Sequence, residues 1–550
     1  MTGAISYCRR AVPAAAYVLL SGGAAQAVTF ETESLRGSFD STITMGTGIR
    51  TKDPSCGLVT AGASGAGAPA GCLAPTAALG DQGNLNYAKG DAFTTYVKGS
   101  HELLLKMPND ITFLGRVNWI RDVTATHTTG IISATSPPTL TGGLAGDARQ
   151  DLRYKARVLD FWVSKSFDIG DHQARLRVGN QVISWGESLF LPGGINSTNA
   201  LDIMRLSQPG TQLKEAVLPA PIASFATGLG NGFNLETYVQ ARWNGNYMPP
   251  SGSYWSVANG MGKGHDAYGL IETKPKNGDQ WGTALRWQPE STQLNLGAYV
   301  MNYQDKALNF STNAGGSGKS GWAYAENRRL YGLSANFPVG DWAVGTELSY
   351  RPRDAVAINP AVSGCSVNNG NCWVDEKKYQ WHLTGLLSLT PSNAGGVLKL
   401  LGADTATFMA EAVVVRYPNL KKYYGGDPIA AGAWGWGQEF DPSASPAPVG
   451  SKTALGFNMD FSWVYDGSLI PGWQVIPEIY YFQAVKGRTP NGAGQLMEGA
   501  KSVNLIVTLV QNPAKWQASI NYAAFFGGKR VFDQPYRDRN FVGLTVSRNF

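Results

Sequence analysis

Short segments in which apolar and polar residues alternate recur along most of the 550-residue chain. The clearest segment is 33–50, in which one set of alternate positions is mainly apolar and the other mainly polar. The first set contains Leu35, Gly37, Phe39, Ile43, Met45 and Ile49, and the second contains Arg36, Ser38, Asp40, Thr42, Thr44 and Arg50. Successive side chains of a β-strand point to opposite faces, so this pattern predicts a strand with one apolar and one polar face. Segments 453–465 and 501–511 show the same alternation.

Connections between the predicted strands alternate in length. Short ones lie near 107–110, 168–171, 228–232, 288–292, 337–341, 391–402, 466–472 and 511–515, and long ones near 51–90, 122–150, 186–215, 248–279, 304–328, 352–377, 418–452 and 486–500. Transmembrane barrels alternate short periplasmic turns with long external loops, whereas a soluble β-sandwich gives no reason for this alternation. The pattern predicts an all-β fold, a transmembrane antiparallel up-and-down β-barrel of about 18 strands with periplasmic termini. Sixteen strands is the alternative count, because 216–228 and 403–417 alternate less clearly.

The N-terminus has the features of a secretory signal peptide. Arg9 and Arg10 precede the apolar run 11–20, and Ala25-Gln26-Ala27 forms a cleavage site of the A-x-A type. We therefore assign 1–27 to a signal peptide and 28–550 to the barrel, with an N-terminal helix as the alternative. No apolar run reaches the roughly 18 residues that a transmembrane helix needs. These features predict a protein of the Gram-negative outer membrane.

Cysteine spacing agrees with export. Four cysteines follow the signal peptide, in two pairs that are close in sequence: Cys56 with Cys72, and Cys365 with Cys372. An even number of cysteines in an oxidising compartment predicts two disulfides. A metal site is the alternative, but no histidine lies beside either pair.

One stretch departs from strand periodicity. Residues 179–221 read GNQVISWGESLFLPGGINSTNALDIMRLSQPGTQLKEAVLPAP, rich in Gly, Pro and Asn but also in charges and large apolar side chains. A disordered segment would hold fewer apolar residues, so we predict a folded loop at 186–215. It follows a strand that runs outward, and we expect it to enter the lumen as a constriction, with Trp185 and Phe190 packing it in place. A latch that only stiffens the wall is the alternative.

The candidate functional residues are charged or hydrogen-bonding residues within the stretch 179–221. They are Trp185, Glu187, Asn196, Asp202, Arg205, Lys214 and Glu215. Buried charges need partners, so the charged members should form salt bridges or hydrogen bonds with the barrel wall.

A second group of charges has the parity of the polar strand face. Arg175 and Arg177 belong to a predicted strand over 173–185, and Glu236 and Arg242 to one over 233–247. We expect all four to face the lumen, where they would select permeants or only pair across strands. Glu347 and Arg351 also share a parity. Arg153, Lys155 and Arg157 have the same parity as Leu159 and Phe161. Without a β-bulge, the face to which these basic side chains point is therefore ambiguous.

Signals for an enzyme are weak. His101, His127, His172, His265 and His382 are scattered, no metal-binding or phosphate-binding motif occurs, and Ser188 is not in a nucleophile elbow. We expect no catalytic activity, no cofactor and no metal. A net charge of +6 falls to about +4 without the signal peptide, which gives no indication of nucleic-acid binding. We expect a monomer whose partners are outer-membrane lipids and, through the terminal strand ending in Phe550, the outer-membrane assembly machinery.

Residues 179–221 also resemble the central motif of a family of Gram-negative outer-membrane proteins, DUF1302. The matching residues are GNQVISWGES, Gly194-Ile195-Asn196, Pro209-Gly210 and Lys214-Glu215, and the resemblance extends over nearly the whole chain. It implies an outer-membrane location, a hydrophobic, aromatic or lipid-like permeant and a periplasmic partner of the RND exporter type. We therefore expect an outer-membrane channel or transporter for a small compound. A non-transporting scaffold, or a component of a lipid or polymer export system, is the alternative.

Overall fold

The computed structural model describes residues 28–55, 58, 82–125, 131–132, 139–140, 144–258, 260–360, 362–431, 449–491, 495–530 and 533–550. The predicted signal peptide and the predicted Cys56–Cys72 disulfide lie outside the described residues.

Within the described residues, eighteen antiparallel strands form one closed sheet in which each strand pairs with the next. They are β1 (Arg36–Arg50), β2 (Ala92–Met107), β3 (Ile111–Asp122), β4 (Tyr154–Ile169), β5 (His172–Gln181), β6 (Ala220–Gly230), β7 (Phe233–Gln240), β8 (Gln280–Trp287), β9 (Asn295–Tyr303), β10 (Arg328–Val339), β11 (Trp342–Ala357), β12 (Trp373–Leu389), β13 (Thr405–Arg416), β14 (Thr453–Ile470), β15 (Trp473–Lys486), β16 (Ala500–Gln511), β17 (Trp516–Gly527) and β18 (Phe541–Asn549). Strands β1 and β18 close the barrel, with Thr42 opposite Asn549 and Arg50 opposite Phe541. The predicted 18-stranded barrel is confirmed.

Burial along the wall is the reverse of burial in a soluble protein. In β1 the polar-parity residues Thr44 and Arg50 are buried, whereas Phe39 and Ile49 are each 40% exposed. In β10 the apolar Leu333 is 62% exposed. A closed sheet pairs its own backbone groups, and an outward apolar band with a polar interior is the arrangement that lipid requires. The chain is therefore an outer-membrane β-barrel.

The helices of the described residues are short and lie in the connections. They are α1 (Gly146–Arg153), α2 (Ile203–Ser207), α3 (Leu213–Ala216) and α4 (Pro391–Leu401), with 3-10 turns at Gln82–Asn86, Ile195–Thr198, His265–Tyr268, Ala314–Gly316 and Ser366–Asn368. None of the helices in the described part of the chain is long and apolar enough to cross a membrane.

Further short strands lie outside the barrel wall. Val28–Glu31 pairs back on the start of β1. The others that the structure describes, all in connections, are Ile131–Ile132, Thr139–Leu140, Ala200–Leu201, Val217–Leu218, Ile271–Thr273, Asn309–Ser311, Gly321–Ala323, Tyr423–Tyr424 and Asp427–Pro428.

Two predicted strands extend too far at their C-terminal ends. The strand predicted over 173–185 ends at Gln181, and the one predicted over 233–247 ends at Gln240. Each of these strands stops where the strand on one side of it begins. Gln181 pairs with Ala220, the first residue of β6, and Gln240 pairs with Gln280, the first residue of β8. Beyond these points β6 and β8 no longer provide strand backbone on that side of the ladder.

A β-bulge settles the facing of the basic run before Phe161. The β3–β4 register shifts between the pairs Gly115–Phe161 and Val117–Val158. An extra residue on one strand moves the following side chains to the opposite face. Lys155 and Arg157 consequently point into the barrel, while Val158 and Phe161 are both exposed on its outside.

Candidate functional site

The connection between β5 and β6, residues 182–219, is a folded unit that we call the inserted loop. The side chain of Asn199 holds its first turn, accepting from the Ile183 N–H at 3.1 Å and donating to the Ile183 carbonyl at 2.7 Å. Asp202 caps α2 by accepting from the Arg205 N–H at 2.8 Å. A capping box of Gln212 and Glu215 begins α3. These local bonds satisfy backbone groups that a non-repetitive segment would otherwise leave unpaired.

One side of the inserted loop is held by two glutamates of the wall. Glu347 on β11 accepts from the backbone N–H of Glu187 at 2.6 Å and of Ile195 at 2.9 Å. Glu411 on β13 accepts from Phe190 at 2.5 Å, and from Leu191 and Leu189 at 3.0 and 3.3 Å. Both glutamates are 1% exposed. Hydrogen bonds to a charged acceptor contribute about 1.5–3 kcal/mol each, so these are strong attachments.

Positive and neutral wall groups complete this attachment. Arg351 on β11 donates to the carbonyl oxygens of Gly193 and Gly194 at 2.6 and 3.0 Å and to Ser197 Oγ at 2.5 Å. Gln380 on β12 donates to the Pro192 carbonyl at 3.2 Å. Residues 187–197 are therefore bound through their backbone.

Glycine is required at one point of this contact. Gly186 has a φ of +89°, and a Cβ there would lie 2.3 Å from a carboxylate oxygen of Glu347. A left-handed backbone beside a close wall group admits no side chain. The Gly of the W-G-E-S motif is thus explained by the attachment to Glu347.

The C-terminal half of the inserted loop contacts the opposite part of the wall. Glu215 forms a buried salt bridge with Lys98 on β2 at 2.5 Å, and Lys98 also donates to the Gly210 carbonyl at 2.7 Å. Tyr96, also on β2, donates from its hydroxyl to the Pro209 carbonyl at 2.7 Å. Since the same loop binds β11–β13 and β2, it crosses the interior of the barrel.

Apolar contacts fix the entry of the loop. Trp185 is 3% exposed and lies between Tyr238 and Tyr299, with ring centroids 5.1 and 5.7 Å away. Its indole N–H donates to Glu236 on β7 at 2.8 Å. Farther on, Phe190 contacts the ring of Tyr480 on β15 at 5.7 Å.

The charged residues of the motif differ in their partners. Asp202 pairs with Arg157 of the wall and lies 3.8 Å from Arg205, which is 4% exposed. Glu187 accepts from Asn336 at 3.1 Å and Ser334 at 3.4 Å, and its burial, together with the nearby Glu347, raises its pKa. Lys214, in contrast, is exposed.

The remaining predicted residues lie at separate places. Asn196 donates to Ser188 Oγ within the loop at 2.9 Å. Arg177 stacks on Trp162 inside the barrel at 4.1 Å, and its neighbour of the same parity, Arg175, is exposed. Arg242 was wrongly assigned to a strand face: it lies in the bend after Gln240 because β7 has already ended.

Two cavities lie on either side of the inserted loop. The external cavity, of 290 Å³, is bounded by the loop residues Asn196, Leu201, Ile203 and Val217, among others, and its wall and loop lining includes Tyr303, Asp305, Lys306, Arg351, Asp354 and Lys378. The periplasmic cavity, of 430 Å³, is lined by Lys214 and Gln212 together with Asp40, Thr42, Ser100, Glu102 and the turn at 513–515. The loop therefore separates an external from a periplasmic space.

The external cavity contains buried hydrogen-bonding capacity. Arg351 Nη1 and Asn196 Oδ1 are buried and have no hydrogen-bond partner among the described residues. Lys306 is 4% exposed and donates to Asn244 at 3.2 Å. Burial lowers the pKa of Lys306 to about 7, an effect that Asp305 opposes. Unpaired buried polar atoms are costly, so a polar solute that satisfies them is favoured in this cavity.

Sequence reasoning did not single out Glu411, Gln380, Lys98 or Lys306. Glu411 is the one carboxylate in the apolar segment TATFMAEAVVVR of β13, and an isolated charge of inward parity is the signal that could have identified it. Glu347 and Arg351 were noted only for their shared parity.

The predicted disulfide between Cys365 and Cys372 is confirmed and ties the external loop between β11 and β12. Asp427 of the next external loop accepts from the backbone N–H groups of Ser363 at 2.7 Å and Cys365 at 2.8 Å. Across the described residues, no group of three or more His, Cys, Asp and Glu side chains is arranged to hold a metal.

Several solved structures are similar to this chain. OccAB1 of Acinetobacter baumannii is 9% identical with a TM-score of 0.41, covering 94% of this chain and 96% of that one. OccAB4 of the same organism is 11% identical with a TM-score of 0.41, covering 94% and 98%. OpdK of Pseudomonas aeruginosa, solved with vanillate, is 10% identical with a TM-score of 0.38, covering 93% and 98%.

The amino-acid sequence identifies the family of the chain. No curated protein matches the chain. The model of the family described as "Protein of unknown function (DUF1302)" matches residues 9–550, almost the entire length. The chain belongs to the DUF1302 family.

Proposed function

We propose that this protein is an outer-membrane channel for small molecules, with the inserted loop as its constriction. The observation that carries the proposal is that the loop crosses the lumen from Glu347 and Glu411 to Lys98, with a cavity on either side. A fixed segment across a wet barrel limits the size of a permeant, and the charges beside it select its type.

The lining of the external cavity supports a permeant with an apolar part and a polar or negatively charged group. Leu201, Ile203 and Val217 give one side of the cavity an apolar surface. Three basic side chains of its lining, Lys306, Arg351 and Lys378, outnumber the two carboxylates, Asp305 and Asp354. A small amphiphilic compound would satisfy both surfaces, and this retains the hydrophobic permeant expected from the family resemblance.

Planar-bilayer conductance of the refolded protein tests the proposal. We expect discrete openings for the intact chain and a larger conductance when residues 187–215 are replaced by a short Gly-Ser linker. Heat-dependent migration in a denaturing gel would first establish that both proteins are folded. Equal conductance of the two folded proteins would exclude the loop as the constriction.

The alternative is a scaffold with a blocked lumen. The number of strong bonds that hold the loop, from Glu347, Glu411, Arg351 and Lys98, favours it. A scaffold of this kind would be silent in bilayers with the loop present. Openings only after replacement of residues 187–215 would then identify the loop as a permanent seal.

A further inference from the structure

A cavity of 570 Å³ opens on the outer, lipid-facing surface of the barrel and not in its lumen. Its lining consists of Asp279, Trp281, Asn302, Asn327, Arg329, Tyr331, Pro352 and Arg353. Trp281 and Tyr331 are 38% and 43% exposed, and they have the parity of the exposed Leu285 and Leu333. The adjoining loops, 241–279 and 304–327, are long, so this cavity lies at the external end of the wall.

Strand register gives the depth of each group in the membrane. Trp281, Asn302 and Arg329 form one row across β8, β9 and β10. The next row toward the middle of the membrane contains Tyr331, Tyr350 and Tyr379. The centroids of their stacked rings are 6.3 Å apart for the first pair and 4.8 Å apart for the second. Leucines follow below, at Leu333 and Leu348. An aromatic row above an apolar band marks the level of the membrane interface.

The cavity therefore lies at headgroup depth, and its lining carries two guanidinium groups against one carboxylate. Arg329 and Arg353 are both exposed, and Lys377 is exposed on the neighbouring strand. The nearest acidic residues of β12 are engaged elsewhere: Asp375 pairs with Arg328 at 2.5 Å, and Glu376 accepts from the Tyr424 hydroxyl at 2.6 Å. The lining residues themselves therefore carry a net positive charge at the lipid surface.

We propose that this cavity binds a phosphate group of lipid A, the phosphorylated glycolipid of the outer leaflet in Gram-negative bacteria. Arginine suits this ligand because its planar donors match phosphate oxygens and its stem can lie along an apolar surface. Asn302, which donates to the Asp279 carbonyl, adds an amide beside the guanidinium of Arg329. Trp281 and Tyr331 contact the sugar and the upper part of the acyl chains, as interfacial aromatics do. The proposal is independent of the channel function.

Native mass spectrometry of the refolded full-length barrel, titrated with bis-phosphorylated lipid A, tests this site. We expect one saturable lipid adduct on the wild type. R329Q should reduce its apparent affinity about threefold, and R329Q/R353Q at least tenfold, because each removes a charge-assisted contact. R153Q is the matched control, since Arg153 is an exposed arginine outside the cavity lining, at the end of α1, and it should bind lipid A as the wild type does.

Control ligands distinguish binding of the lipid A phosphate from binding of other molecules in the cavity. Fully dephosphorylated lipid A should bind the wild type as weakly as bis-phosphorylated lipid A binds R329Q/R353Q. Equal binding of the two lipids, or equal losses in R329Q and R153Q, would overturn the proposal. An adduct with inorganic phosphate alone that excludes lipid A, or a protein dimer in place of the adduct, would also overturn it.

Discussion

Glu347 accepts the backbone N–H of Ile195 at 2.9 Å, joining the barrel wall to a residue 152 positions earlier in the chain. Its second carboxylate oxygen accepts the N–H of Glu187 at 2.6 Å. One side chain thus binds two points of the inserted loop, and both of its oxygens are required.

E347Q should release the loop. Glutamine offers one carbonyl oxygen, and its NH2 group would face a second backbone donor, so at least one hydrogen bond worth about 1.5–3 kcal/mol is lost. We expect larger and noisier single-channel currents and a lower melting temperature. E478Q is the control, because the side-chain hydrogen bond of Glu478 is to Asp460 and not to the loop. Identical currents in E347Q and E478Q would contradict the role of Glu347.

E411Q should have a smaller effect than E347Q. One carboxylate oxygen of Glu411 accepts from the loop, while the other contacts His382 Nδ1 at 2.6 Å. A glutamine can keep its carbonyl oxygen toward the three backbone N–H groups of the loop, so the change falls mainly on the contact with His382. Recordings of both variants under one condition would check the order, and a larger disturbance in E411Q would contradict it.

Substitution of Lys214 should change the ion selectivity of the channel, whereas substitution of Glu215 should change the stability of the protein. Lys214 lines the periplasmic cavity together with Asp40 and Glu102, so K214A should shift the selectivity toward cations and leave the melting temperature unchanged. E215A removes the carboxylate that pairs with the buried Lys98. Breaking a buried pair costs about 3–5 kcal/mol, so the melting temperature of E215A should fall markedly. Reversal potentials in a salt gradient and thermal unfolding measure the two effects. Unchanged selectivity in K214A would favour the latch over the constriction.

Lys306 should make the channel dependent on pH. Its pKa of about 7, lowered by burial, places its change of charge near neutrality. As the pH falls from about 8 to about 6 the external cavity becomes more positive, so anion selectivity should rise, and K306M should remove this dependence.

The stability of K306M gives an independent check. The pKa in the folded protein lies below the unfolded value of about 10.4, so folding disfavours the protonated amine. That cost is fully present below about pH 7 and disappears as the pH rises above the unfolded pKa. K306M should therefore raise the melting temperature at low pH and lose this advantage at high pH. An advantage that grows with pH would contradict the assignment.

Removal of the Cys365–Cys372 disulfide should destabilise the external loop but not the wall. Closing a loop of about eight residues is worth about 2.5 kcal/mol in the chain-entropy model. We expect C365S/C372S to expose the segment between β11 and β12 to protease, while the barrel keeps its heat-dependent gel migration. Wild-type protein treated with a reductant should behave in the same way, and unchanged proteolysis in both would contradict the prediction.

The barrel could be predicted from the sequence because its rules are local. Alternation in segments such as 33–50 and 453–465 reports which side chains meet lipid, and the alternation of loop lengths reports which end is external. The Cys365–Cys372 bond could be predicted because its partners are seven positions apart. The inserted loop was recognisable since large apolar residues such as Trp185 and Phe190 interrupt a segment rich in glycine.

The partners of that loop were decided only by the tertiary structure. Glu347, Glu411 and Lys98 reach it because closure of the sheet brings β2 and β11–β13 around one lumen, and nothing local in the sequence encodes that proximity. The ends of β5 and β7 likewise depended on where β6 and β8 begin. The direction of the Arg157 side chain depended on a bulge in β4. Periodicity assigns residues to faces, but contacts across a lumen depend on closure and register, which are properties of the whole sheet.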